Sequence, residues 1–334
     1  MIAQGASFLD TLAPDPWLAL LLKAAVVLAF FLIAPLGVGY AEHKVLAHMQ
    51  ARLGPMEAGR FHGWAQLIAD GVKFVQKEDV VPRAADRWVF SLAPAVVLVP
   101  YIATVVVIPF GDTLFAEDLD LGIFFVMAMS SVSVIGVLMA GWASANKFSL
   151  IGALRAAAQL IAYELPLVLA AAAVVMEAGT LSLIGITRAQ AGHWFVLTQP
   201  VGFLIFLIAS LAELTRPPFD MPIADSEIIF GAYTEYTGLK FAFFLLAEYG
   251  GIVVLSAIAS VLYLGGFRPL PGLGAIPEPL WMAGKVGALA FVIIWLRATY
   301  PRLREDQLQR LSWLALIPLA LLQIVVVGVV KVAV

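Results

Sequence analysis

Residues 213–249 read ELTRPPFDMPIADSEIIFGAYTEYTGLKFAFFLLAEY and lie between two long apolar runs. The stretch carries six carboxylates but only two basic residues, Arg216 and Lys240. Its double proline at 217–218 prevents a regular helix at that point. A carboxylate close to hydrocarbon is costly unless it is paired or protonated, so such a group indicates a proton or substrate path. The stretch therefore predicts a functional polar layer inside an otherwise apolar chain.

The composition of the whole chain is that of a membrane protein. Its 334 residues are 62% hydrophobic and 13% charged, and the mean hydropathy is +0.96. Soluble domains contain about 45–50% apolar and about 25% charged residues. The sequence has no cysteine, which excludes disulfides, thiolate metal sites and Fe–S clusters held by this chain. We predict an all-α integral membrane protein that forms a single membrane domain.

Eight apolar runs are each about 20 residues long, which is enough to cross a hydrocarbon core of about 30 Å as a helix. None of them alternates as a β-strand does. The predicted spans lie near residues 17–39, 88–109, 121–142, 159–177, 194–213, 241–264, 281–300 and 311–330.

Lysine and arginine concentrate in the loops that follow the first, third, fifth and seventh runs. These loops are residues 40–87, 143–158, 214–240 and 301–310. By the positive-inside rule they face the cytoplasm, so both termini are predicted on the outer side of a bacterial cytoplasmic (inner) membrane. Because this explains the basic residues, no nucleic-acid partner is predicted.

The first loop is predicted to hold two amphipathic helices at the cytoplasmic interface. In one, Val45 and Met49 share an apolar face, and the helix ends at Gly54-Pro55. The other runs from Trp64 to Glu78. The alternative is that both helices pack on a soluble partner, and the two interpretations are compatible.

Three of the predicted spans bring acidic side chains to one layer of the membrane. At 1.5 Å per residue, Glu164 lies about 13 Å inside the fourth span counted from Arg155, and Glu248 about 12 Å inside the sixth. Glu213 closes the fifth span on the same side. Like charges this close cannot all ionise, so some must hold protons, as a proton relay requires. The alternative is separate pairing of each carboxylate with a lysine or arginine, but few cations occur in that layer.

Other chemistry finds little support in the sequence. All four histidines fall outside the predicted spans, so haem ligation within the membrane is not expected. Neither a phosphate-binding loop nor an HExxH motif occurs. We predict no metal site and no redox cofactor bound by this chain alone.

Four segments together resemble one known family. They are Glu42 with MQARLGP (49–55) and LIADGVKFVQKED (67–79), GWASANKFSLIGALRAAAQLIAYELPL (141–167), the stretch 213–249, and RATYPRLREDQL (297–308). In this order they are similar to segments of the H subunit of NADH-quinone oxidoreductase, a family that supplies the quinone-site membrane component of respiratory complex I. The similarity covers nearly the whole chain.

This resemblance implies eight helices at the junction of an electron-transfer arm and a membrane arm, with quinone as substrate. Fe–S clusters and flavin are expected on partner subunits of the peripheral arm, and further subunits are expected in the membrane arm. The implied quinone chamber contains Glu42, Arg52, Asp70, Lys73, Arg216 and Phe219. The implied proton-coupling residues are Glu164, Glu213, Asp220, Asp225, Glu227 and Glu248.

The chain departs from the family's usual residues at four positions. His43 replaces an arginine, Met56 an asparagine, Ile223 a glutamate and Leu314 a lysine. The change at Ile223 removes one acidic step from the implied relay. It is compatible with a paralogous complex that uses a different electron-input module.

The expected function is that of a structural and proton-coupling subunit of a proton-translocating, quinone-reducing complex I. One alternative is the equivalent subunit of a membrane-bound hydrogenase or of a complex fed by reduced F420 or ferredoxin. Another is a stand-alone ion or solute transporter. A purely scaffolding role would leave Glu164 and Glu248 without a purpose at membrane depth.

Overall fold

The computed structural model describes residues 7–12, 15–223, 225–269 and 276–333, including all of their side chains except those of residues 225 and 226. The described residues form helices and connecting turns and contain no strand. The helices are α1 (Phe8–Leu12), α2 (Pro16–Met49), α3 (Gln66–Gln76), α4 (Arg87–Val105), α5 (Gly122–Ala143), α6 (Lys147–Ala178), α7 (Leu183–Ala189), α8 (Phe195–Thr198), α9 (Pro200–Glu213), α10 (Asp225–Ile228), α11 (Gly238–Tyr263), α12 (Glu278–Thr299), α13 (Glu305–Arg310) and α14 (Ile317–Ala333).

Seven helices in the described part of the chain are long and apolar enough to cross a membrane. They are α2, α4, α5, α6, α11, α12 and the continuous helix Glu305–Ala333, which joins α13 to α14 through a π-helical segment. The fifth predicted run is divided into α8 and α9, and α9 has only 14 residues. Pro200 starts α9 because proline cannot donate the hydrogen bond that would continue α8. The predicted all-α membrane fold is confirmed, and the chain is a multi-pass membrane protein.

Helix α6 begins earlier than the sequence suggested. The side chain of Asn146 accepts a hydrogen bond at 2.9 Å from the backbone N–H of Phe148, which caps the first turn. The helix therefore starts at Lys147, and most of the predicted loop 143–158 is helical. Glu164 then lies about 26 Å along the axis from the helix start, at 1.5 Å per residue. The sequence estimate of about 13 Å was shorter because it was counted from Arg155, which lies two turns after the helix start.

The loop predicted at residues 40–87 holds one separate amphipathic helix rather than two. Residues 45–49, expected in the first of them, form the inner end of α2, because neither glycine nor proline follows Gly39 within that helix. The second is α3. Phe74 of α3 packs against Phe241 of α11, with ring centroids 5.8 Å apart, while Ile68 and Val72 on another edge are exposed. Helix α3 is thus fixed to the bundle along one edge only.

Helix α11 lies at the centre of the bundle. Every residue from Gly250 to Tyr263 is buried, as expected for a helix that is apolar on all sides. The inner end of α11, by contrast, carries two half-buried polar residues, Glu248 and Tyr249. The central helix therefore delivers these two side chains to the inner layer of the bundle.

The outer end of α11 is fixed by a buried ammonium group on α12. Lys285 donates hydrogen bonds to the backbone carbonyls of Leu264, Gly266 and Arg268, each at 2.7 Å. Its nitrogen also lies 4.4 Å from the centroid of the Trp194 ring. A buried cation needs such partners, and here they hold the turn after α11 against α12.

We expect Gly136→Ala to destabilise the bundle. A Cβ atom at Gly136 on α5 would lie 2.5 Å from a side-chain carbon of Val97 and 2.8 Å from the Val97 backbone nitrogen on α4. Overpacking of this kind costs about 1–3 kcal/mol, so the melting temperature in detergent should fall. Gly284→Ala on α12 is the matched control, because its Cβ would meet nothing within 4 Å. Equal melting temperatures for the two variants would contradict the close packing of α4 on α5.

Candidate functional site

A buried network of ion pairs is centred on Arg216, whose exposed fraction is 1%. Its Nη1 donates a hydrogen bond to Glu42, and its Nη2 lies 2.9 Å from a Glu248 carboxylate oxygen as an ion pair without hydrogen-bond geometry. Arg297 donates to the other oxygen of Glu42. The ring centroid of Tyr249 lies 4.9 Å from the Arg216 guanidinium carbon. Two carboxylates and two guanidinium groups thus balance each other, which buried charges require.

The segment that follows α9 places Arg216 in this network. Gln159 of α6 donates from its amide nitrogen to the carbonyls of Ala212, at 2.6 Å, and Phe219, at 2.8 Å. The backbone N–H of Phe219 also donates to the carbonyl of Arg216 at 2.7 Å, which closes a tight turn. The remaining members come from α2, α11 and α12, so four elements meet in this network.

A small cavity of about 40 Å³ lies beside the network between α4, α5, α6, α9 and α11. Glu213 and Glu248 both line it, together with Tyr101, Ser133 and Tyr233. A cavity of about 10–15 Å³ on this measure holds one water molecule. One carboxylate oxygen of Glu213 is buried without a hydrogen-bond partner among the described protein atoms. The wall of this cavity therefore includes polar groups, among them carboxylates that come from two different helices.

Glu164 lies next to this cavity and does not line it. Its carboxylate accepts a hydrogen bond from Ser131 of α5, and it is close enough to Glu213 for the two charges to interact. The side chain is half-buried and contributes to a separate, mostly apolar groove between α5 and α6. The three carboxylates of the predicted acidic layer therefore do not share one chamber. Glu248 and Glu213 line the same cavity, and Glu164 lies beyond Glu213 on a separate groove.

The remaining predicted coupling residues lie in the loop. Glu227 is exposed and pairs with Arg155 at 2.6 Å and with Arg302 at 3.4 Å. Asp220 is half-buried, and the side chain of Asp225 lies outside the described residues.

One of the four residues that differ from the family pattern, Ile223, lies in the cavity wall. Ile223 lines the cavity beside Glu213 and Glu248. The replacement therefore presents an apolar side chain to the space that these carboxylates share.

Two of the residues predicted for the quinone chamber line an open groove of about 580 Å³ between α2, α3 and α11. Asp70 and Lys73 lie on its wall with His43 and Tyr249. Asp70 and Lys73 also form an exposed ion pair of 3.2 Å. Tyr249 faces the groove and also contacts Arg216, so the groove and the buried network share one aromatic ring.

Two other predicted chamber residues lie elsewhere. Arg52 is exposed, and its Nε donates to Gln50 at 2.8 Å, away from the groove. Phe219 is buried and packs edge-on against Tyr163, with ring centroids 5.3 Å apart. Glu42 and Arg216, the last two predicted chamber residues, belong to the buried ion-pair network and do not line the groove.

Two members of the network, Arg297 and Tyr249, were not among the residues predicted from the sequence. In the sequence, Arg297 stood out only as the first residue of the segment 297–308 that resembles the family. Its position inside the apolar run 281–300 was a usable signal, since an ionisable residue within a span usually has a buried partner. Tyr249 gave no such signal, because an aromatic residue in a span is ordinary.

The fold and this site define an α-helical, multi-pass membrane protein with an acidic cavity beside a lipid-facing bundle. Residues 22–328 match the sequence model of the family described as NADH dehydrogenase. The chain belongs to the NADH dehydrogenase family.

Curated relatives extend over nearly the full chain. It is 47% identical over 310 residues to the H subunit of NADH-quinone oxidoreductase from Geobacillus kaustophilus (strain HTA426), covering 93% of this chain and 92% of the relative. The same protein from Geobacillus thermodenitrificans (strain NG80-2) is 45% identical over 306 residues, with 92% and 91% covered. That of Bacillus mycoides (strain KBAB4) is 44% identical over 308 residues, with 92% of each covered. The family predicted from the four segments is confirmed.

The pairing of Glu227 predicts how the loop responds to pH. The hydrogen bond from Arg155, aided by the charge of Arg302, holds the pKa of Glu227 below its usual value. A pKa lowered by folding stabilises the docked loop above the unfolded value of about 4.3, and this contribution is lost as the pH falls through the folded value. We expect a spin label on a cysteine introduced at residue 229 to gain mobility as the pH falls below about 4.

Glu227→Gln is the control for this experiment, because it removes the titrating group. The label should then show the same mobility at neutral and acidic pH. A wild-type label that keeps its mobility down to about pH 3 would contradict the pairing.

Proposed function

We propose that this chain is a membrane subunit of an NADH-quinone oxidoreductase, in which it binds the quinone head and starts proton coupling. The names of the curated relatives support the enzyme, and the fold supports the membrane location. The observation that carries the coupling role is the contact of Tyr249 with Arg216. This contact joins the open groove to the Glu213–Glu248 cavity.

The groove between α2, α3 and α11 is the proposed site of the quinone head. Its volume of about 580 Å³ falls within the range of about 300–1,000 Å³ usual for ligand pockets. Its wall combines apolar side chains, Leu67, Phe74 and Leu245, with hydrogen-bond donors such as Lys73 and Tyr249. A quinone offers two carbonyl acceptors on an apolar ring, so this mixture suits it.

Reduction of the quinone would act on the network through charge. Two electrons place negative charge on the quinone oxygens beside Tyr249 and Arg216, and two protons must neutralise it. Anionic charge near Arg216 competes for the guanidinium that otherwise pairs with Glu42 and Glu248. Carboxylates that lose cationic support take up protons more readily.

The cavity supplies the next step of the proposed path. Glu248 faces both the network and the cavity, and Glu213 lies on the same cavity wall. Water in a polar cavity of this size can carry a proton between them. Glu164, beyond Glu213, opens to the groove between α5 and α6. In this scheme a further membrane-arm subunit receives the charge shift there.

Electrons would come from partner subunits of the peripheral arm that carry flavin and Fe–S clusters. Among the described residues, no group of three or more histidine or acidic side chains is arranged to hold a metal ion. We infer that the loops 40–87, 143–158, 214–240 and 301–310 face the cytoplasm and these partners, and that both termini face outward. The basic residues of these loops support that orientation.

Neutral replacements of the cavity carboxylates test this function. We expect Glu213→Gln and Glu248→Gln each to slow NADH-driven quinone reduction by about 100-fold or more, the lower end of the range for loss of a proton-transfer group. Proton pumping into inverted membrane vesicles should fall with it, as followed by a pH-sensitive dye. Glu177→Gln is the matched control, since Glu177 is also a partly buried carboxylate on a spanning helix but lies near the other end of α6. Full pumping by the doubly substituted protein, Glu213→Gln with Glu248→Gln, would contradict the proposal.

A further inference from the structure

Most of the wall of the Glu213–Glu248 cavity is buried. Among the described residues, the lining side chains that are only half-buried are those of Thr215, Ile223, Tyr233 and Glu248. The other lining residues, which come mainly from α4, α5, α6, α9 and α11, are buried. The four half-buried residues are therefore the candidates for a route by which protons enter or leave the cavity.

Of these four residues, Glu248 is the one that can bind and release a proton near neutral pH. The hydroxyl of Thr215 does not ionise in this range, and Ile223 offers neither a donor nor an acceptor. The ring of Tyr233 packs against Phe244, with centroids 4.4 Å apart. Removal from water raises the pKa of the Tyr233 phenol above its usual value, so the phenol stays protonated.

The acidic residues of the segment 214–237 do not reach the cavity. Those whose side chains the structure describes are Asp220, Glu227 and Glu235, and none of them lines it. Glu227 instead pairs with two arginines, and Glu235 accepts a hydrogen bond from Asn146. At Ile223 the segment therefore contributes an apolar side chain, rather than a carboxylate, to the wall.

Close packing of the backbone fixes Ile223 in this position. A Cβ atom at Gly231 would lie 1.7 Å from the carbonyl oxygen of Pro222 and 3.4 Å from the Cα atom of Ile223. On α6, a Cβ atom at Gly152 would lie 2.6 Å from the Cα atom of Gly231. Residues 222–223, the turn at Gly231 and α6 are thus in direct contact, which leaves Ile223 little freedom to move out of the wall.

We propose that Ile223 is an apolar barrier between the cavity and the carboxylates of the loop, so that protons reach Glu213 through Glu248. The inference rests on the proposed function, in which these two carboxylates carry the protons. It assigns the exchange with the ion-pair network to Glu248, which contacts Arg216, and the closure of a second route to Ile223. A carboxylate placed at residue 223 should open that route, since it would border both the cavity and the loop.

A double substitution tests the barrier in the intact complex. Glu248→Gln alone should slow quinone reduction by about 100-fold. When Ile223→Glu is added, we expect the rate of NADH-driven quinone reduction to rise again by about tenfold or more, because the new carboxylate can pass protons to Glu213 in place of Glu248. Proton pumping into inverted membrane vesicles should rise with it. A role of Ile223 in packing alone predicts no such recovery.

Ile229→Glu is the matched control, since Ile229 is an exposed isoleucine of the same loop and does not line the cavity. Added to Glu248→Gln, it should leave the slow rate unchanged. No gain from Ile223→Glu, or an equal gain from Ile229→Glu, would overturn the barrier while the proposed function stands. If Glu248→Gln alone reduces quinone and pumps protons at the wild-type rate, the proposed function fails, and this inference fails with it.

A carboxylate installed after assembly covers the case in which the Ile223→Glu protein does not assemble. The chain has no cysteine, so Ile223→Cys supplies its one thiol. In the assembled Glu248→Gln complex, 2-carboxyethyl methanethiosulfonate joins a carboxylate to that thiol through a disulfide and releases methanesulfinate. We expect this reagent to speed quinone reduction and the uncharged propyl analogue to leave it slow. Labelling without a gain, an equal gain with the propyl analogue, or no labelling at residue 223 would overturn the inference.

Discussion

The Arg216 guanidinium is the group on which the inner half of this bundle depends. It is almost wholly buried, and it contacts a carboxylate from α2, a carboxylate from α11 and the ring of Tyr249. Removing one partner from a buried ion pair typically costs about 3–5 kcal/mol, because an uncompensated charge remains. The relative positions of α2, α11 and the segment after α9 are thus tied to a single charged side chain. The double proline and the tight turn at Arg216 keep this segment out of a regular helix, which would place the guanidinium elsewhere.

The groove and the buried ion-pair network lie on either side of one residue, Tyr249. The groove between α2, α3 and α11 lies on one side of Tyr249, and the other side of that residue meets the network. Beyond the network, Glu248 and Glu213 share a cavity large enough for water. In the proposed function, only the side chains of Tyr249 and Arg216 separate a change of charge in the groove from the carboxylate of Glu248. No long chain of conformational changes is required, because electrostatic effects of this kind are strong where water is scarce.

The sequence was sufficient for the membrane fold, the family and the acidic layer, because apolar run length and clustered carboxylates are local signals. It was less informative about how the carboxylates are arranged. Glu164 of α6 and Glu213 of α9 are neighbours, but no spacing along the chain shows that Glu164 opens to the groove between α5 and α6. Phe219 was assigned to the chamber through resemblance, and in the structure its ring is buried against Tyr163. The pairing of Glu42 with Arg297 joins residues far apart in sequence, so only the packing of α2 against α12 reveals it. The early start of α6 was missed because Lys147 and Arg155 were taken as signs of a loop over residues 143–158.

Infrared difference spectroscopy of the intact complex measures the coupling of quinone reduction to the cavity carboxylates most directly. Reduction of the quinone should produce a change in the protonated-carboxyl band of the wild-type protein. Glu248→Gln should remove part of this signal. Arg216→Lys should weaken it as well, because a lysine ammonium is a single point charge that does not bridge two carboxylates as a guanidinium does. A carboxyl band that responds to quinone reduction equally in the wild type and in both variants would contradict the role of the Arg216 network.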